Sequence, residues 1–304
     1  MKTIHCTVIT AAALILLGGR MVRAQSIYVP NADFGSPVTS YATNVISMWE
    51  TMPQPDGYDY PYPWDDTTGV FYNDPDYAAY GEYIYNCDGT QAAFLFALPG
   101  VGIFQDYDST PSHDFNATYE VGKSYQLQAG FIASTSFGES PGVSLQMSLY
   151  YRDNSNNMVT IASNNIVYTT DVFTDITNFV NCELGTATVQ ANDPWAGQHI
   201  GIEFLSTVSP DLEGGYWDLG NVQLSATLAP GLINPIWSNG QFGATLQSDP
   251  GLVFQILATT SLQIPLSNWT SVVTLTNVSG TTSFVDPATN FNERFYQAQQ
   301  LPSP

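Results

Sequence analysis

The stretch from Asp56 to Asp88 is dense in side chains that could hold a ligand. It contains ten aromatic residues: Tyr58, Tyr60, Tyr62, Trp64, Phe71, Tyr72, Tyr77, Tyr80, Tyr83 and Tyr85. It also contains Asp56, Asp59, Asp65, Asp66, Asp74, Asp76, Glu82 and Asp88, with no Lys or Arg. Rings beside carboxylates suit a sugar, whose C–H face packs on Trp or Tyr while its hydroxyls bridge to acids and amides. They suit equally a cationic or aromatic ligand, held by cation–π contact and charge. Alternatively the tyrosines cover one end of the fold with their hydroxyls in water. Pro55, Pro61, Pro63 and Pro75 hinder regular helix and predict one or two stiff loops. On the ligand reading, Trp64, Tyr60 and Tyr62 lead, with Tyr58, Tyr72, Asp65 and Asp66 beside them. Trp49 reads as core or as ligand contact.

Other chemistry is sparse. The aspartates could serve calcium, a hard ion wanting about six to eight oxygens. Neither Asp65-Asp66 nor Asp74-Pro75-Asp76 fits the twelve-residue calcium loop, so Ca2+ remains an expectation without placed ligands. HExxH, GxxxxGK[ST] and strand-borne GxGxxG are all missing. His113 and His199 lie 86 residues apart with no Cys-x-x-Cys nearby, which argues against zinc. Carboxylate pairs for glycoside hydrolysis meet only in three dimensions, and among 27 acids their presence decides nothing.

The 304 residues carry 6 Lys+Arg against 27 Asp+Glu, a formal charge of −21. Such a surface repels phosphate backbones and anionic lipid heads, so nucleic acid and membrane-surface partners are excluded. Lys2, the apolar run from about Val8 to Leu17 and Val22-Arg23-Ala24 read as a secretory signal, 1–24, cleaved near Ala24. About 10–12 apolar residues are too few for a span of about 20, so membrane insertion is not expected. The mature chain is thus expected to be extracellular or periplasmic. In that compartment Cys87 and Cys182, 95 residues apart, are expected to pair as a disulfide, the alternative being two buried thiols.

The elements that must position these residues are strands. Val143, Leu145, Met147, Leu149 and Tyr151 alternate with polar neighbours; Tyr125, Leu127 and Ala129 begin a similar run. Ile202, Phe204 and Trp217 to Leu224 read as late strands. Gln91 to Leu98 is almost continuously apolar, as for a strand covered on both faces. Pro99-Gly100, Ser140-Pro141-Gly142 and Glu213-Gly214-Gly215 supply turns. The pattern predicts an all-β, antiparallel β-sandwich over 25–229, a linker at 230–235 and a small second all-β domain at 236–304. Strands in the latter are expected at Gln241–Leu246, Leu252–Thr259, Ser271–Thr276, Thr281–Val285 and Arg294–Ala298.

Several stretches resemble a known family. Asn31-Ala32-Asp33-Phe34-Gly35-Ser36-Pro37, Gly89-Thr90-Gln91-Ala92-Ala93-Phe94-Leu95 with Gly102-Ile103-Phe104-Gln105, and Val121-Gly122-Lys123-Ser124-Tyr125-Gln126-Leu127 do so in order. Gly201-Ile202-Glu203-Phe204 and Trp217-Asp218-Leu219-Gly220-Asn221-Val222-Gln223-Leu224 complete the series. Together they are similar to the carbohydrate-binding-module-like jelly rolls of secreted proteins (PEP-CTERM/CenC-type), over about 31–228. The resemblance implies a jelly-roll sandwich. In many relatives a structural calcium is held by two acids whose places are taken here by Gly35 and Gly220. That leaves the site empty, or completed by Asp218 and backbone oxygens, with Asp33 the other weak metal candidate. The calcium-dependent hapalindole-type cyclases share this jelly roll; their closing strand reads V-D-F-D-N-V, and its first Asp is the acid. Asp218 occupies that place. The second domain resembles a C-terminal β module of secreted Verrucomicrobia and Planctomycetes proteins. That match runs through Asn239-Gly240-Gln241-Phe242, Pro250 to Ile256, Asn268-Trp269, Phe284-Val285-Asp286-Pro287 and Arg294-Phe295-Tyr296, and it implies a bacterial source.

These readings favour a secreted, non-catalytic protein that binds a polysaccharide or cell-surface glycan through the 49–85 loops. A structural matrix protein that binds other chains is the alternative. A jelly-roll enzyme (glycan hydrolase, lyase or cyclase-like) with Asp218 as its acid is the third. The sequence leaves the oligomeric state and the ligand's identity open.

Overall fold

The computed structural model describes residues 24–110, 112–287, 291 and 293–301. The expected signal segment therefore lies, up to its last residue, outside the described residues. The chain forms two compact units, one from Ser26–Val121 and Tyr125–Ser225, the other from Gly122–Ser124 and the residues from Ala226 onward. Among the described residues no helix is long and apolar enough to cross a membrane.

The first unit is built on β1 (Gln25–Ile27), β2 (Ala42–Thr43), β3 (Glu50–Thr51), β4 (Thr68–Tyr72), β5 (Gln91–Phe96) and β6 (Gly102–Gln105). It continues with β7 (Lys123–Ile132), β8 (Ser144–Arg152), β9 (Met158–Val167), β10 (Val180–Gly185), β11 (Gly201–Ser206) and β12 (Tyr216–Leu228). One sheet runs β10-β7-β12-β5-β4-β2, with β1 also on β12; the other runs β3-β6-β11-β8-β9. This is an antiparallel jelly-roll sandwich. Period-2 alternation sends Leu95, Leu127, Phe131 and Trp217 inward from the first sheet, against Ile103, Leu145, Met147 and Phe204 from the second. Phe131 meets both Phe204 and Trp217 edge-on, with centroids 5.9 and 6.4 Å apart. Trp49 belongs to this core, its ring against Phe34 and Phe204 and its Nε1 donating to the Asn31 carbonyl.

The second unit holds β13 (Gly231–Ser238), β14 (Gln241–Gln247), β15 (Leu252–Thr259), β16 (Thr270–Asn277), β17 (Thr281–Asp286) and β18 (Phe295–Gln300). They form two three-stranded sheets, β13-β14-β17 and β16-β15-β18. The expected linker at 230–235 is thus replaced, from Gly231 onward, by a strand. The register on β14 slips between Ile233 and Ile236, and Asn234 takes a positive φ of 49°. Pro235 sits in that bulge, on a sheet-edge strand, where its missing N–H is not needed. Trp269 donates Nε1–H to Ile264, and Arg294 pairs with Asp286 at 2.8 Å.

No disulfide joins Cys87 and Cys182. Cys182 lies buried in β10 opposite Ala129, while the Cys87 thiol donates to the Gln91 carbonyl at 3.3 Å. Each sulfur is placed by its own local packing, which corrects the expectation of a cross-link.

Candidate functional site

The outer face of the seven-stranded sheet carries a cavity of about 700 Å3. Its floor follows from strand register. Asp218 stands opposite Phe94 and Tyr216 opposite Phe96 across the β12–β5 pair. Residues two apart share a face, so these four side chains point away from the core that Trp217 and Leu95 fill. On the next strands Phe71 lies opposite Ala92, and Ala42 opposite Phe71. Gly69 lies opposite Phe94; a Cβ there would stand 2.6 Å from the Phe94 ring and 2.2 Å from the Thr43 carbonyl oxygen. The floor therefore needs glycine at that position.

One wall is the loop between β4 and β5. The Asn73 side chain ties its ends, accepting from the Ile84 N–H and donating to the Ile84 carbonyl, both at 2.9 Å. Between them Asp74 caps a 3-10 helix, Pro75–Tyr80, and Gly81 closes it at φ 74°. Asp74, Tyr77, Glu82 and Ile84 from this loop face the cavity. A second wall is the short turn Thr135–Phe137, capped by Ser134. It lays Phe137 flat on Tyr216, with centroids 4.6 Å apart and planes 13° apart. Ile176 and the Ser40–Tyr41 segment complete the lining. Asn86 holds the backbone of Phe179 through two hydrogen bonds. Asn221 in turn accepts from the Asp88 N–H and donates to the Asn86 carbonyl. The Phe179 ring consequently rests on Gly130 and Gly220.

The electrostatics are unusual for so acidic a chain. Asp218 is only 5% exposed, and its Oδ1 has no hydrogen-bond partner. Burial pushes its carboxyl well above the usual carboxylate range. Glu139 lies under the same turn, with Oε2 accepting from the Ser134 N–H at 2.7 Å and a buried, unpartnered Oε1. Burial first, and then the nearby Asp218, raise Glu139 to about 9 despite that hydrogen bond. Burial, followed by Asp218, Glu139 and Glu82, raises the Tyr216 phenol to about 12. Among the described residues no Lys, Arg or His lines the cavity. The floor thus presents one buried carboxyl, Asp218, whose proton is held more tightly than usual, among aromatic faces. Such an acid can donate a proton to an apolar ligand that water does not reach.

The residues singled out from the aromatic-acidic loop are distributed differently. Trp64 is buried, its Nε1 donates to the Met52 carbonyl at 2.8 Å, and Tyr58 meets it edge-on. Tyr58 also packs on Tyr60, whose hydroxyl donates to Glu213. Tyr62 is half exposed and leans edge-on against Phe96. Asp65 and Asp66 are exposed, and Asp66 accepts from Asn44. Of these seven residues Tyr72 lines the cavity and the other six do not. Sequence reasoning passed over Phe94, Phe96, Phe137, Tyr216 and Glu139. The signal for the first two was available: a strand apolar on both faces has its second apolar face covered by something.

The calcium set implied by the resemblance does not fit these residues. Gly35 and Gly220 supply no carboxylate, and the Phe179 ring fills the space above Gly220, 2.6 Å from where a Cβ would be. Asp33 spends Oδ1 on the Gly35 N–H. Among the described residues no group of three or more His, Cys, Asp or Glu is placed to hold a metal.

No family profile matches the chain, and no curated protein sequence aligns with it. Solved structures do. A Stig cyclase, Fisc, from Fischerella sp. TAU, solved with (3Z)-3-(1-methyl-2-pyrrolidinylidene)-3H-indole, is 23% identical with a TM-score of 0.50. The match covers 68% of this chain and 99% of that one. A second cyclase structure from Fischerella sp. TAU is 21% identical with a TM-score of 0.50, covering 68% and 98%. The CBM22-1 xylan-binding domain of Paenibacillus barcinonensis Xyn10C is 11% identical over 59% and 85%, at a TM-score of 0.33, too loose to argue from. The cyclase likenesses establish the jelly-roll fold.

Proposed function

We propose that the first unit is a small-molecule site that performs acid-initiated isomerisation of a flat, unsaturated ligand. The observation that carries this reading is Asp218, a buried, unpaired carboxyl on the floor of an aromatic cavity. The Asp218 hydroxyl proton passes to the nucleophilic carbon of a ligand double bond, whose π pair forms the new C–H bond. The cation left on the ligand is stabilised by the faces of Phe94, Phe96, Phe137 and Tyr216. A second double bond of the ligand attacks it, a ring closes, and a proton returns to the Asp218 carboxylate. The product is an isomer, and no co-reactant is consumed. The resemblance to hapalindole-type cyclases assigns the acid to the same place. The Fisc neighbour, solved with an indole-containing molecule, supports a flat nitrogen heterocycle as the ligand type. A cavity of about 700 Å3 is of ordinary size for such molecules.

The test is incubation with prenyl- and geranyl-indoles in light and heavy water. The reading expects a ring-closed isomer of unchanged mass in H2O, one deuteron gained in D2O, and a loss of about 10²-fold or more in Asp218→Asn. Turnover that survives Asp218→Asn would contradict it.

A second reading keeps the polysaccharide. Tyr41, Tyr62, Tyr80 and Tyr85 are all more than half exposed on this unit, and exposed rings stack on sugar faces. Under either reading the signal-like N-terminus supports action outside the cytoplasm, with the C-terminal unit as an accessory module.

A further inference from the structure

On the solvent side of the cavity the chemistry changes sign. Asp218 on the floor is buried, but Asp74 and Glu82 stand on the β4–β5 loop, half-buried and exposed respectively. They line the cavity and also, with Asp76, Tyr77 and Tyr80, an adjoining concavity of about 540 Å3. The Tyr77 and Tyr80 rings lie 6.1 Å apart and are both about half exposed or more. Asp74 has one oxygen engaged by the Asp76 N–H at 2.9 Å. Among the described residues no Lys, Arg or His lines either hollow. Arg152 is paired with Asp106 at 2.7 Å and Arg294 with Asp286 at 2.8 Å, and neither lines either hollow. The unpaired Oδ1 of Asp218, aimed into the same cavity, independently points to a ligand that completes the site.

We propose that this site selects ligands bearing a positively charged amine at one end, seated by Asp74, Glu82 and the Tyr77 ring, with the uncharged ring system on Phe94 and Phe96. The proposal rests on the cavity reading above and adds the charge of the substrate. Cation–π contact and carboxylate attraction act together on an ammonium at a partly desolvated rim. Phosphate- or carboxylate-bearing ligands are rejected by the same acids. An amine and a ring at opposite ends also keep the Asp218 proton away from the ammonium.

The test is calorimetry of the full chain with three probes of one ring: tryptamine (cationic), 3-ethylindole (neutral) and indole-3-acetate (anionic). The expected order is tryptamine tightest, by about tenfold over 3-ethylindole at low salt, and indole-3-acetate weakest. The tryptamine preference should shrink as NaCl rises, since the rim is solvent-accessible. In the double variant Asp74→Asn, Glu82→Gln the ratio of the two affinities should fall to about one; Asn retains the capping side chain, so the loop stays closed. Equal affinity for tryptamine and 3-ethylindole, or a ratio unchanged in the double variant, overturns the amine proposal and leaves the cavity reading standing. Failure of all three probes to bind overturns both.

Discussion

Asp218 and Phe94 face each other directly across the β12–β5 pair, a buried acid beside a ring that lies over Gly69. That pairing keeps the carboxyl away from water and gives it an apolar partner surface. Asp218 should therefore be protonated at neutral pH. Difference infrared spectra between wild type and Asp218→Asn at pH 7 should show the band of a protonated carboxyl. A carboxylate band in its place would contradict the burial argument.

Glu139 makes stability depend on pH. Its folded-state value of about 9 lies above the ordinary 4.5. The folded state therefore holds a proton that the unfolded chain releases above about pH 4.5. The resulting stabilisation is complete below that pH and fades as pH climbs through 9. Thermal melts should show wild type losing more Tm between pH 5 and pH 8 than Glu139→Gln does. Parallel curves would sink the assignment.

Trp64→Ala should act on stability first. The side chain is buried and hydrogen-bonded to Met52, so truncation is expected to cost roughly 3–5 kcal/mol. Denaturant unfolding measures this. A variant of wild-type stability that loses ligand binding would return Trp64 to the site.

Gly220→Asp would restore the acid that the resembling family carries, yet it should not create a calcium site. The new Cβ would meet the Phe179 ring at 2.6 Å, an overpacking expected to cost about 1–3 kcal/mol or more. Melting with and without calcium tests this: a lower Tm, unmoved by the ion, is expected. A calcium-dependent rise in Tm would be the opposite result.

Much of the fold was legible because alternation is a direct record of which face a residue uses. The run Val143 to Tyr151 became β8, and Leu252 to Thr259 became β15 with the expected ends. The 230–235 stretch misled because its two prolines and a glycine read as chain breakers, whereas a bulge on an edge strand tolerates proline. The site was harder. Counting rings in 56–88 says nothing of their direction, and Pro63 starts a turn that sends Trp64 inward. Asp218 was reachable only through a family pattern, since 27 acids make any single one anonymous. Phe137 and Glu139 stand on a loop whose closeness to β12 depends on Gly215, where any Cβ would strike Glu139 at 2.6 Å; no local pattern encodes that approach.

The most direct measurement is titration of 3-methylindole, followed by calorimetry, into wild type and Ala42→Trp. Ala42 is exposed and lines the cavity, so a large side chain there should fill the space without unfolding the sheet. The account predicts saturable one-to-one binding to wild type and a loss of about tenfold or more in Ala42→Trp at unchanged Tm. Equal binding by both proteins, or none by wild type, would contradict the cavity as the functional site.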